Sequence, residues 1–150
     1  MMLLFNFSVM DCTVYSKFVL PFSKKKLEQN IVHVLCGLKK TKASVSVHII
    51  GDKKMTELNF QHRGKKKSTD VLSFATNEGE GNLFSDDWGD VFICLPQVKR
   101  QAKEYNIPWK EEFYRMMIHG ILHLFGYDHM QEKDAKKMFK LQEKFLGEIL

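Results

Sequence analysis

The chain has 150 residues, of which 44% are hydrophobic and 27% charged. That balance belongs to an ordinary globular domain and excludes a disordered chain, a collagen-like chain and a membrane bundle. A chain of this length buries about two-thirds of its unfolded surface on folding, so the core needs neither a disulfide nor a metal. The net charge of +5 is modest by itself and fixes no partner.

Leu3 to Val9 reads as a strand. Ser23 to Leu38 reads as an amphipathic helix, with Leu27, Ile31, Val34, Leu35 and Leu38 at helical spacing and Ser23 as its cap. Ser44 to Ile50 alternates Val45, Val47 and Ile49, the pattern of a half-buried strand. Gly51-Asp52 opens a short helix with Met55, Leu58 and Asn59 along one face. Val71–Ala75 and Asp90–Leu95 are two further strands, joined by the acidic connection TNEGEGNLFSDDWG (76–89). Pro96 begins a helix to about Tyr105. Pro108, as a first helical residue, starts another that ends near Gly126. Asp134 to Ile149 is the last helix. The order predicts an α/β fold, with a small, open, mixed four-stranded sheet packed by five helices.

The start of the chain, MMLLFNFSVMDCTVYSKFVLPF, lacks the cationic region and small-residue cleavage site of a signal peptide. No apolar run reaches spanning length. Cys12, Cys36 and Cys94 are odd in number and widely spaced, the pattern of buried thiols in a reducing compartment. A cytoplasmic protein with no membrane partner is expected.

Chemistry concentrates in HGILHLFGYDH (119–129). His119 and His123 stand at i and i+4, so both rings leave one helical face a turn apart. Gly126 can turn the chain sharply and bring His129 over that face. Three imidazoles with a fourth position open make a catalytic zinc pattern rather than a closed structural one. Zn2+, one per chain, is the first choice, although imidazoles also suit nickel, copper and iron. The spacing is that of metzincin proteases, which carry a glutamate general base directly after the first histidine. Here that position is Gly120, which argues against peptide hydrolysis but not against metal-assisted hydrolysis.

Charge adds a second constellation. Residues 17–67 hold 13 Lys/Arg against 3 Asp/Glu, and residues 68–150 hold 10 against 14. The basic part suits nucleic acid, and suits equally a lysine-rich solubilising surface. Within it, Arg63-Gly64-Lys65-Lys66-Lys67 precedes an apolar strand. Such a loop fits phosphate or is simply a solvated basic turn, and its bearing on the metal decides. Asp90 either accepts a hydrogen bond from a metal-binding histidine or caps the acidic connection. Arg115 lies one turn before His119 and reads most simply as the surface partner of Glu112. His33, His48 and His62, the methionines and the phenylalanines read as unspecialised or core residues.

HGILHLFGYDH resembles the signature of the YbeY family of bacterial rRNA maturation factors, which are single-strand-specific endoribonucleases. RGKKKSTDVLSF (63–74), GDVFICLPQV (89–98), QAKEY (101–105) and the tail from Glu132 through Met138 to Leu146 are similar to further family segments. The resemblance covers essentially the whole chain. It implies one metal-dependent endoribonuclease domain over 1–150, a metal on His119, His123 and His129, and a functional Arg63. It further implies rRNA as substrate, on the ribosome, in small-subunit 3′ end maturation and ribosome quality control, with ribosomal or GTPase proteins as partners. Lys66, Ser68 and Ala75 depart from the family, which often has Asp, Pro and Pro there, and none of the three belongs to the metal set.

The catalytic set is then Arg63, His119, His123 and His129. Three neutral imidazoles leave a metal's charge uncompensated, which lowers the pKa of bound water from 15.7 to about 7 without a glutamate. Arg63 would stabilise charge growing on the phosphoryl oxygens. Attack by the RNA 2′-OH stays open as an alternative. Two rival functions are a non-enzymatic metal-containing ribosome-assembly factor and, more distantly, a zinc protease.

Overall fold

A computed structural model describes residues 12–76 and 87–150. The expected strand at Leu3–Val9 and most of the acidic connection lie outside the described residues. The elements run β1 (Cys12–Ser16), α1 (Lys24–Gly37), β2 (Ser44–Ile50), α2 (Asp52–Arg63), β3 (Val71–Ala75), β4 (Asp87–Cys94), α3 (Leu95–Glu104), α4 (Trp109–Leu124) and α5 (Glu132–Ile149). The strands form one open sheet in the order β1-β2-β4-β3. β1, β2 and β4 are parallel, and β3 is antiparallel to β4 on the far edge. The expected mixed four-stranded sheet with five helices is the architecture observed.

Side-chain alternation gives the sheet two unlike faces. Val14, Val45, Val47, Ile49, Val91 and Ile93 are buried together against the helices. Tyr15, His48 and Phe92 alternate with them and stack in a row on the other face. α2 covers part of that second face, where Met55 and Leu58 pack on Leu72 and Cys94. α4 is the central helix. Its Phe113, Met117, Ile118, Ile121 and Leu122 have no solvent exposure, each burial being worth about 1.5–3 kcal/mol.

Local chemistry accounts for several helix ends. The Ser23 hydroxyl accepts from the Lys26 amide at 3.0 Å and caps α1. Gly64 closes α2 at φ +69°, a left-handed cap that glycine takes without steric cost. Pro108 sits one position earlier than expected: its extended backbone (φ −60°, ψ 135°) makes it the residue before α4 rather than its first helical residue.

Some expectations of burial fail. Cys94 is buried, but Cys36 is exposed. Phe60 and Phe139 are exposed rather than core, as is Met130. Cys12–Ser16, with β-branched Thr13 and Val14, is a strand the sequence reading does not mark, and it forms the edge strand β1.

Candidate metal centre

His119 and His123 leave the last two turns of α4. The helix then closes through hydrogen bonds from the Gly126 amide to the His123 carbonyl and from the Tyr127 amide to the Leu122 carbonyl, both 3.1 Å. Gly126, at φ +88°, makes this reversal. The Asp128 carboxylate accepts from the Met130 amide at 2.8 Å and fixes the turn that carries His129. The three rings converge, with His129 centred 5.6 Å from His119 and 5.2 Å from His123. One nitrogen from each lies within 4.8 Å of the others.

This donor set fits a metal ion. His119 Nδ1 lies 2.7 Å from Gln142 Oε1. The Gln142 amide nitrogen donates to Glu143 at 3.4 Å, which sets the amide so that its oxygen faces the imidazole. Nδ1–H therefore donates, and the Nε2 lone pair of His119 faces His123 Nε2 at 3.1 Å. Two nitrogens on a tetrahedral zinc, with bonds of 2.0–2.1 Å, lie about 3.3 Å apart. Burial lowers the pKa of His119, and its hydrogen bond to Gln142 opposes only part of that effect. Burial first, then the neighbouring His119 and His129, push His123 down to about 4. Both rings are thus neutral and available as ligands near neutral pH.

The histidines form one wall of a cavity of about 380 Å³ whose other walls include Arg63, Thr69, Asp70, Ser73 and Met130. Arg63 reaches it from the end of α2, so the structure brings this expected residue to the triad. Lys65, Lys66 and Lys67 do not line it, and Lys66 instead sits 5.0 Å from the Phe60 ring. The loop behind Arg63 is anchored. The Lys67 carbonyl accepts from buried Asn59 at 2.9 Å, and the Ser68 hydroxyl meets Cys94 at 3.4 Å. A larger cavity, about 610 Å³, lies behind the turn between Lys40 and Lys137, and none of the three histidines lines it.

Other expectations change. Asp90 does not touch the triad. It pairs with His48 at 2.8 Å on the opposite face of the sheet. The residue that orients a triad histidine is Gln142, only 4% exposed. Its sequence signal was a polar residue in register with Met138, Phe145 and Leu146 along the buried stripe of α5. Arg115 does pair with Glu112 at 3.2 Å, but Glu112 is 2% exposed, so the pair is not a surface one. It belongs to a chain of polar contacts. Arg115 also binds Glu143, and Gln101 donates to both Glu112 and Asp70. Asp70 in turn borders the cavity.

Gly120 has a structural reason. A Cβ there would lie 2.5 Å from Val91 Cγ1 and 3.0 Å from Val71 Cγ2, and its carbonyl accepts from the Ser73 hydroxyl at 2.8 Å. This is where α4 touches the sheet. A glutamate in the protease position would collide with the core.

Fold and site define a small α/β protein with a three-histidine group, able to hold a metal ion, beside an edge strand. The chain belongs to the endoribonuclease YbeY family: the family's sequence model, Endoribonuclease YbeY, matches residues 15–150. An Endoribonuclease YbeY of Persephonella marina is 41% identical over 128 residues, 85% of this chain and 84% of that protein. One from a Sulfurihydrogenibium species is 41% identical over 137 residues, 91% of this chain and 88% of that protein. The solution structure of TM1509 from Thermotoga maritima superposes with a TM-score of 0.65 at 31% identity, covering 92% of this chain and 88% of that one. No helix among the described residues is long and apolar enough to cross a membrane.

Proposed function

We propose that the protein is a zinc-dependent endoribonuclease that cuts single-stranded rRNA. Its place would be small-subunit 3′ end maturation and ribosome quality control, in the cytoplasm. The whole chain would act as one catalytic domain, with ribosomal or GTPase proteins as partners. The observation that carries the reading is the meeting of three imidazoles with Arg63 around one cavity, in a member of an endoribonuclease family.

His119, His123 and His129 would hold one zinc ion, which supplies Lewis acidity and acidifies water toward neutral pH. Gln142 keeps Nδ1 of His119 protonated and so keeps Nε2 free. Its amide is neutral and adds no charge to offset the ion's. Arg63 lines the same cavity. A guanidinium there stabilises negative charge as it grows on phosphoryl oxygens. The basic stretch 17–67 attracts the RNA backbone, so log affinity should fall linearly with log salt.

The test is an end-labelled RNA spanning a small-subunit 3′ end. Cutting should stop with chelator and return with zinc. A 2′,3′-cyclic phosphate on the product would assign attack to the RNA 2′-OH, and a plain terminal phosphate would assign it to water. Absence of cutting on both free RNA and ribosomal particles would sink the nuclease reading in favour of a non-enzymatic assembly factor.

A further inference from the structure

Resting on that reading, we propose that Phe139 is a substrate-positioning residue on which one unpaired base of the RNA stacks beside the scissile phosphate. Phe139 follows buried Met138 on α5 and precedes Gln142 by three residues. It therefore leaves the helix near the side that orients His119. Its ring centre lies 6.3 Å from both His119 and His129, and its plane is within 18° and 12° of theirs. The ring is nevertheless 45% exposed. The core contribution of α5 comes from Met138, Phe145 and Leu146, so packing does not explain the phenyl group. Met130, on the cavity rim, is also strongly exposed. Met130 thus borders the cavity itself, and Phe139 stands behind the two imidazoles that form its wall.

This arrangement divides the recognition of a nucleotide. The imidazoles and Arg63 provide for the phosphate, and the phenyl face provides for the base next to it. An aromatic face stacks any base without reading its hydrogen-bonding edge, so the contact tolerates sequence. A base within a duplex is already stacked on both sides and must be extruded to reach the ring. Phe139 would therefore favour single strands.

The test is binding of a short single-stranded RNA to the full zinc-loaded chain, followed by stopped-flow anisotropy so that association is read before strands are cut. An abasic ribose is scanned along the RNA. Phe139→Ala should weaken binding of the intact RNA by about 5- to 100-fold. At one abasic position wild type should suffer the same loss and Phe139→Ala no further loss. Phe139→Trp should restore affinity, with zinc content unchanged in both variants. Equal binding by Phe139→Ala and wild type overturns the proposal, as does a loss that simply adds to every abasic penalty. RNA that shows the coupling yet is never cut overturns the nuclease reading alone. RNA that is cut without the coupling overturns the stacking role alone, and no binding by wild type overturns both.

Discussion

Two clusters, one around the single His48 and one of three histidines, lie on opposite faces of the sheet and differ in their partners. His48 stacks between Tyr15 and Phe92, and its Nε2 is committed to the Asp90 carboxylate at 2.8 Å. His119 bonds through Nδ1 to a neutral amide and turns Nε2 toward two more imidazoles. The first is a single ring stacked between two aromatics, with one nitrogen committed to a carboxylate. The second is a convergent set of three donors, two of them, His119 and His123, held neutral by burial. The partner and the direction of the free nitrogen, rather than histidine itself, make a ligand set.

The sharpest contrast in rate should come from Arg63. Arg63→Ala should cut RNA turnover by about 10²- to 10³-fold in steady-state cleavage, while zinc content stays at wild-type level. An unchanged rate would remove Arg63 from the active site. Gln142→Leu should lower zinc affinity by about 10- to 100-fold in competition with a chromogenic chelator. Asp90→Asn, at the other cluster, should leave zinc affinity unchanged. An equal effect of the two variants would erase the distinction between the clusters.

Smaller effects concern the scaffold. Gly120→Ala forces a methyl against Val91 and Val71 and should cost about 1–3 kcal/mol in urea unfolding. The last effect depends on pH. Arg100 clasps Asp52 with hydrogen bonds of 2.7 and 2.9 Å, holding the carboxyl well below the usual carboxylate range. A depressed carboxylate stabilises the fold above its unfolded pKa of about 3.9 and loses that contribution as pH falls through the folded value. Both side chains are substantially exposed, so Arg100→Gln should cost only about 0.2–1 kcal/mol at neutral pH. Wild type and variant should converge in stability in acid.

The sequence made local features legible and left distant ones hidden. His119, His123 and the Gly126 turn lie within one helix end, where spacing alone dictates convergence. Strands such as Ser44–Ile50 were visible because one buried face imposes strict alternation. Gln142 is 23 residues from its imidazole, and only the packing of α5 on α4 joins them. Asp90 was a reasonable partner by chemistry, but alternation on β4 sends it to the face opposite Val91, away from α4. Phe139 reads as core in the sequence because hydrophobicity does not say which phenylalanine faces solvent. The basic loop was undecided until the fold showed Arg63 in the cavity and the three lysines outside it.

RNA cleavage should depend on one metal held by His119, His123 and His129 together. Zinc content and RNA cleavage should be measured on the same preparations of wild type, His123→Ala and His48→Ala. Wild type and His48→Ala should hold one zinc per chain and show metal-dependent cutting, and folded His123→Ala should do neither. Full zinc retention or undiminished cutting by His123→Ala would contradict that dependence.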